Sequence, residues 1–160
     1  MKDIKNMKNS LVKLFMLLIV SVISVACSDD EIPVQTLDVN PVNLHGTWKL
    51  EELNGSALPE GMYIYIDFNR KGTFKLYQNN DSMEPRCITG EFFIKQDIDL
   101  GAILSGRYDY QNGNWNNAYI VTDLLETGSM IWTVKDGDEV SKYVRVDNIP
   151  SEILGTETKH

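Results

Sequence analysis

Two histidines, two cysteines and a scatter of carboxylates are the side chains of this 160-residue sequence that acid-base, thiol or metal chemistry would draw on first. His45 precedes a turn glycine and His160 ends the chain, so there is no imidazole pair for a zinc site of the usual imidazole and thiolate kind. Asp97-x-Asp99 and Asp136-x-Asp138 bring carboxylates close together in turns. A calcium loop needs more oxygen ligands at set spacing, and aspartate in a turn already has a local hydrogen-bonding role. Asp67, Glu91 and Asp109 would form a glycosidase-type acid and base only if two of them faced one cleft at the right separation, which their spacing does not dictate. No Gly-x-Ser-x-Gly elbow and no phosphate-cradling glycine loop is present. The expectation is a protein with no catalytic residues, no metal and no cofactor.

The two cysteines stand in different surroundings. Cys87 is expected to be a small apolar side chain at a strand start, because only Arg86 beside it offers a positive charge, and adjacent strand residues point to opposite faces. Cys27 closes an apolar leader. Lys2, Lys5, Lys8 and Lys13 give that leader a basic start, and residues 14–26 are apolar except for Ser21 and Ser24, which reads as a secretory signal rather than a membrane span. Val25-Ala26-Cys27 resembles the end of a bacterial lipobox, with Ser24 where that pattern prefers Leu. The resemblance implies cleavage before Cys27 and lipidation of its thiol, which anchors a chain without a transmembrane segment. Ser28, Asp29, Asp30 and Glu31 follow directly. They read either as a solvated leader or, by resemblance to the lipoprotein export signal of the Bacteroidota, as an address for the surface of the outer membrane. The expected location is the outer membrane, lipid-anchored and exposed at the cell surface, with a periplasmic-facing anchor as the alternative.

Charge narrows the partners. The leader holds four lysines and one aspartate, so the rest of the chain has 11 basic and 22 acidic residues and a net charge of -11 with histidine neutral. Such a surface repels nucleic acid. The expected partners are the membrane, through Cys27, and a small apolar ligand or an envelope protein.

The remaining sequence reads as strands. Residues 27–43, with Pro33 and Pro41, are expected to be a lipidated start and a semi-rigid tether. Residues 44–147 form one small domain, and 148–160 a loose tail. Eight strands are expected, at 47–53, 62–68, 73–78, 87–95, 102–110, 116–125, 129–135 and 140–146. Ile64, Ile66 and Phe68 alternate with Tyr63, Tyr65 and Asp67 in the period of a half-buried strand. Asn112-Gly113 and Asp136-Gly137 supply turn chemistry. Eight short antiparallel strands joined by polar turns either close as a meander barrel or stack as a sandwich, and closure removes exposed edges.

Gly46-Thr47-Trp48 resembles the Gly-x-Trp signature that opens the first strand of lipocalins. The resemblance covers about 44–147 and is closest to the compact lipocalin-like domains of Bacteroidota lipoproteins. It implies an all-β fold, an eight-stranded antiparallel up-and-down barrel of the calycin type. It also implies that Gly46 and Trp48 pack the barrel base under a basic residue of the last strand, for which Arg145 is the candidate. The chain is shorter than typical lipocalins and lacks their disulfide pattern and the helix they place after the barrel. Candidate cavity-lining residues are Ile64, Phe68, Phe74 and Phe92 on the earlier strands, and Leu104, Tyr108, Tyr119 and Trp132 on the later ones. Trp115, flanked by Asn112, Asn114, Asn116 and Asn117, either folds onto the rim or serves as a contact anchor. The functional expectation is a lipid-anchored binding domain for a small apolar or amphipathic molecule. The alternative is an accessory lipoprotein whose filled barrel presents its loops to another protein or an extracellular substrate.

Overall fold

The computed structural model describes residues 34–80, 86–110 and 112–155. The leader, Cys27, the acidic stretch from Ser28 to Glu31, and His160 lie outside the described residues.

Period-two apolar residues form strands here because the eight barrel strands have one interior to fill. In chain order the strands are β1 (Gly46–Leu53), β2 (Ser56–Ala57), β3 (Ile64–Phe68), β4 (Thr73–Gln78) and β5 (Arg86–Asp97). They continue as β6 (Gly101–Tyr108), β7 (Tyr119–Thr122), β8 (Ser129–Val134) and β9 (Val140–Val146). All pairings are antiparallel, and β1 also pairs with β9, so eight strands close into a meander barrel with β2 as an extra strand on β1. The extra strand lies between the expected strands 47–53 and 62–68. Asn54 and Gly55 both take positive φ, 52° and 74°, the requirement of a tight hairpin turn whose twist matches its strands.

Element lengths depart from expectation where the register changes. β7 begins at Tyr119 rather than 116, because Asn114 and Trp115 pair with Arg107 and Gly106 in a register two residues off from that of Tyr119 with Leu104. It stops at Thr122, before the left-handed Asp123 at φ 49°. On β1 the register against β9 shifts between Leu50 and Glu52. That extra residue lets Glu51 and Glu52 both reach Lys142, at 2.8 and 3.2 Å, which neighbours on a regular strand could not do. Their carboxylates, Glu51 foremost, raise the Lys142 ammonium above its ordinary range.

Both flanks of the barrel are more ordered than a tether and a loose tail. Leu37 N–H donates to the Leu124 carbonyl at 2.7 Å, Thr36 bridges Leu125, and Leu37 and Val39 pack on the core. The apolar 37, 39 and 44 positions give this segment something to bury. Asn40 then caps the one-turn α1 (Pro41–Leu44), its side chain accepting from Val42 N–H and Asn43 N–H at 2.9 Å each, with Pro41 at the first helical position. After β9 comes α2 (Ser151–Leu154), whose Ile153 is buried with Tyr65 and Tyr77 on the outside of β3 and β4. Two outward tyrosines left bare would form an apolar patch, and Ile149 and Ile153, four apart, cover them.

Candidate functional site

The two ends of the barrel are built differently. An up-and-down meander puts alternate connections at opposite ends. The turns after β3, β5 and β7 share the lower end with the start of β1, and the connections after β4, β6 and β8 lie at the upper end.

At the lower end Trp48 has no solvent exposure, and its indole N–H donates to the Leu44 carbonyl at 2.8 Å. In register it stands opposite Ile66 on β3 and Arg145 on β9. The Arg145 guanidinium lies 4.3 Å from the Trp48 ring centroid, donates to the Asn43 carbonyl at 2.7 Å and also bonds the His45 carbonyl. One planar cation therefore covers the indole and satisfies two carbonyls at the end of α1. Partial burial lowers the Arg145 pKa from its ordinary value. Gly46 is required twice over: its φ is +116°, and a Cβ there would stand 2.6 Å from Arg145 Nη1. Gly46, Trp48 and Arg145 thus form one cluster that closes the base. His45 contributes its carbonyl to it.

The interior above is aromatic. Phe68, Phe74, Phe92, Leu104 and Trp132 are buried in one cluster, and Ile64, Tyr108 and Tyr119 pack against it, so all eight candidate lining residues share the interior. Trp132 is the hub, with ring centroids 4.5 Å from Tyr143, 5.1 Å from Tyr119 and 6.1 Å from Phe68. Its N–H points to the sulfur of Met130 at 3.3 Å. Phe68 meets Phe92 edge-on at 4.8 Å. Rings in offset and edge contact leave their neighbours little room to move.

Trp115 closes the upper end. Its indole stacks on Trp132 at 6.1 Å and 27°, and meets Phe74 at 5.1 Å and Tyr119 at 6.2 Å. The backbone of Gly106 is its seat, for a Cβ on Gly106 would lie 2.3 Å from the Trp115 ring. Gly90, two residues from Phe92 on the same face of β5, makes the equivalent space for Phe74, 2.8 Å from an added Cβ. The Trp115 Nε1–H is buried with no acceptor among the described residues. Beside this plug the rim holds a recess of about 360 Å³ lined by Arg107, Tyr108, Asp109, Tyr110 and Gly113. Tyr110 is 90% exposed at φ 59°. Burial raises the Tyr119 phenol above its ordinary range, against a hydrogen bond from Asn117.

The carboxylates do not assemble into a reactive pair. Glu91 faces Arg107 at 2.6 Å, Asp109 accepts from the Thr89 hydroxyl at 2.7 Å, and Asp67 lies near the Thr47 hydroxyl at 3.5 Å. Asp67 and Glu91 alternate with the inward set of β3 and β5, and Asp109, just past the end of β6, is exposed. Asp97 caps its own turn, accepting from Asp99 N–H and Leu100 N–H at 3.1 Å, and these bonds lower its pKa. Among the described residues no three of His, Cys, Asp and Glu converge as for a metal ion. Cys87 is half-buried beside the tyrosine cluster under α2.

Tyr143 is not among the residues that the sequence singles out, and Trp115 is left open there between the rim and a contact anchor; the structure folds Trp115 onto the upper end. Tyr143 lies two residues from Arg145, so the period of β9 already put it on the inner face. Trp115 had no such signal, since nothing local says which way a loop tryptophan turns. Its seat, Gly106, was in phase with the inward Leu104 and Tyr108, and a glycine among inward residues is a mark of space left for something else.

No curated protein matches the chain. A family model described as a lipocalin-like domain matches residues 44–132, from the last residue of α1 to the hub tryptophan on β8, and the structure completes the ring with β9. With more than half of its length matched and its strands closed into an eight-stranded antiparallel barrel, the chain belongs to the lipocalin-like domain family.

Proposed function

We propose that this protein is a lipid-anchored envelope binding domain that takes a small amphipathic ligand at the upper mouth of its barrel, with Trp115 as a displaceable plug. A lipocalin-like barrel is a binding scaffold, and the carrying observation is the buried Trp115 N–H without an acceptor among the described residues. Three ring contacts, at about 0.5–1.5 kcal/mol each, favour the closed plug. The orphaned donor opposes it by roughly 1–3 kcal/mol, which hydration returns when the indole swings out. Apolar burial of the indole adds to the closed side, so a ligand opens the plug only where it buries comparable apolar area in its place. A flat apolar group then replaces the indole between Phe74, Tyr119 and Trp132, while its polar end meets Arg107 and Tyr110 at the rim. Cys27, in its lipobox-like setting, carries the anchor and places the domain at the outer membrane.

A second reading draws on the same rings. The interior is occupied from Phe68 to Trp115, which favours an accessory protein that displays its loops to another envelope protein. Titration of the full chain with fatty acids, sterols and porphyrins, followed by tryptophan emission, separates the two. The ligand reading expects saturable one-to-one binding by at least one class, tightened in Trp115→Ala because the competitor is gone. A flat response from both the wild-type and the Trp115→Ala proteins would transfer the assignment to protein contacts.

A further inference from the structure

The lower end carries most of the large apolar side chains that the described surface leaves in water. Seven are exposed among the described residues, and four of them, Val34, Val42, Ile98 and Leu100, belong to this end. Ile98 is 102% exposed, at the tip of the β5–β6 hairpin, in a three-residue loop between Asp97 and Gly101. A tip of this kind gains nothing from the fold that presents it. Its geometry is nevertheless fixed, since the Asp97 carboxylate accepts from both Asp99 N–H and Leu100 N–H. The segment bearing Val34 and Val42 crosses beside it, with Gln96 Nε2 donating to the Val39 carbonyl at 3.4 Å.

The chain joins the barrel at this same end, where Gln35 and Leu37 bond the β7–β8 connection. Cys27 precedes Val34 by seven residues, a reach of no more than roughly 25 Å even when fully extended. A barrel held that close to acyl chains has its lower end within contact distance of the surface they sit in. Charge selects the kind of surface. The turns of this end hold Asp97, Asp99, Asp123 and Glu126 against Arg70 and Lys71, a negative balance that disfavours anionic headgroups.

We propose that the lower end is a membrane-docking surface, with Ile98 and Leu100 entering the interface of an uncharged or zwitterionic leaflet and Val34 and Val42 resting on it. This rests on the reading of Cys27 as the lipidated residue. Docking sets the orientation of the domain, because it turns the Trp115 mouth away from the lipid.

The test uses the full chain, purified from membranes in its processed form and reconstituted in phosphatidylcholine vesicles with brominated acyl chains. Ile98→Trp adds a reporter at the lower end and Tyr110→Trp one at the upper end. The expected result is loss of most of the added emission for Ile98→Trp and none for Tyr110→Trp, with Ile98→Asp weakening the rigid contact but not the anchoring. An acylated protein whose Trp at 98 is as bright as in unbrominated vesicles would overturn the docking surface while leaving the anchor intact. A purified chain whose mass shows no acyl group on Cys27 would overturn the anchor, and the orientation with it.

Discussion

Gly106 and Trp115 are the residues on which the upper mouth depends. A methyl at Gly106 cannot coexist with the indole, so Gly106→Ala should expel Trp115. Its emission should move toward that of a hydrated indole and become accessible to iodide, while the fold loses about 1–3 kcal/mol for the emptied seat. Unchanged iodide quenching in a folded Gly106→Ala protein would show that the indole does not rest there. Arg145 governs the other end. Arg145→Leu removes the cation over Trp48 and leaves the Asn43 and His45 carbonyls without their donor. Denaturant unfolding should show a loss of roughly 2–4 kcal/mol. At this scale the sequence is readable where backbone and side chain are both constrained. Gly46 and Trp48 sit two apart because one must take a left-handed turn and the other must point inward from the strand it starts. Trp115 is not readable in that way, because its direction is decided by space on another strand.

Whole elements were legible in proportion to their period. β3 and β4 alternate cleanly and run over 64–68 and 73–78, close to their sequence pattern. β5 runs past its pattern to Asp97, because its pairing with β6 continues after its apolar residues end. The flanking segments 34–43 and 148–155 are too short and too mixed to show a period, so only the barrel reveals the short helices they form and what these cover. α2 makes the point testable. Ile153→Asp would put a carboxylate against Tyr65 and Tyr77, and about 2–3 kcal/mol of stability should go with it. Thermal unfolding checks this, and a midpoint equal to that of wild type would mean that the helix rests on the barrel without stabilising it.

For the molecule as a whole, buried phenols set the alkaline limit. Desolvation raises the pKa of Tyr65, Tyr119 and Tyr143 above the ordinary value near 10, most strongly for Tyr143. The folded state therefore keeps protons that the unfolded chain releases. This contribution to stability is complete below about pH 10 and is lost as pH rises from there toward the folded values. Lys142, raised by Glu51 and Glu52, acts in the same direction. The denaturant midpoint should be flat toward pH 9 and fall above 10, and Tyr143→Phe should make the fall shallower. An equal slope in the two proteins would remove Tyr143 from the account.

The two ends also give the molecule a direction, with a sealed base under Arg145 and a mouth under Trp115. The proposed movement of the plug on binding is read from the indole N–H resonances of an isotopically labelled protein. Trp48, Trp115 and Trp132 each contribute one. During titration with a ligand that saturates the emission change, the Trp115 resonance should shift to that of a hydrated or newly bonded indole, while Trp48, held by the Leu44 carbonyl, stays in place. Saturation that leaves the Trp115 resonance where it began would contradict the plug.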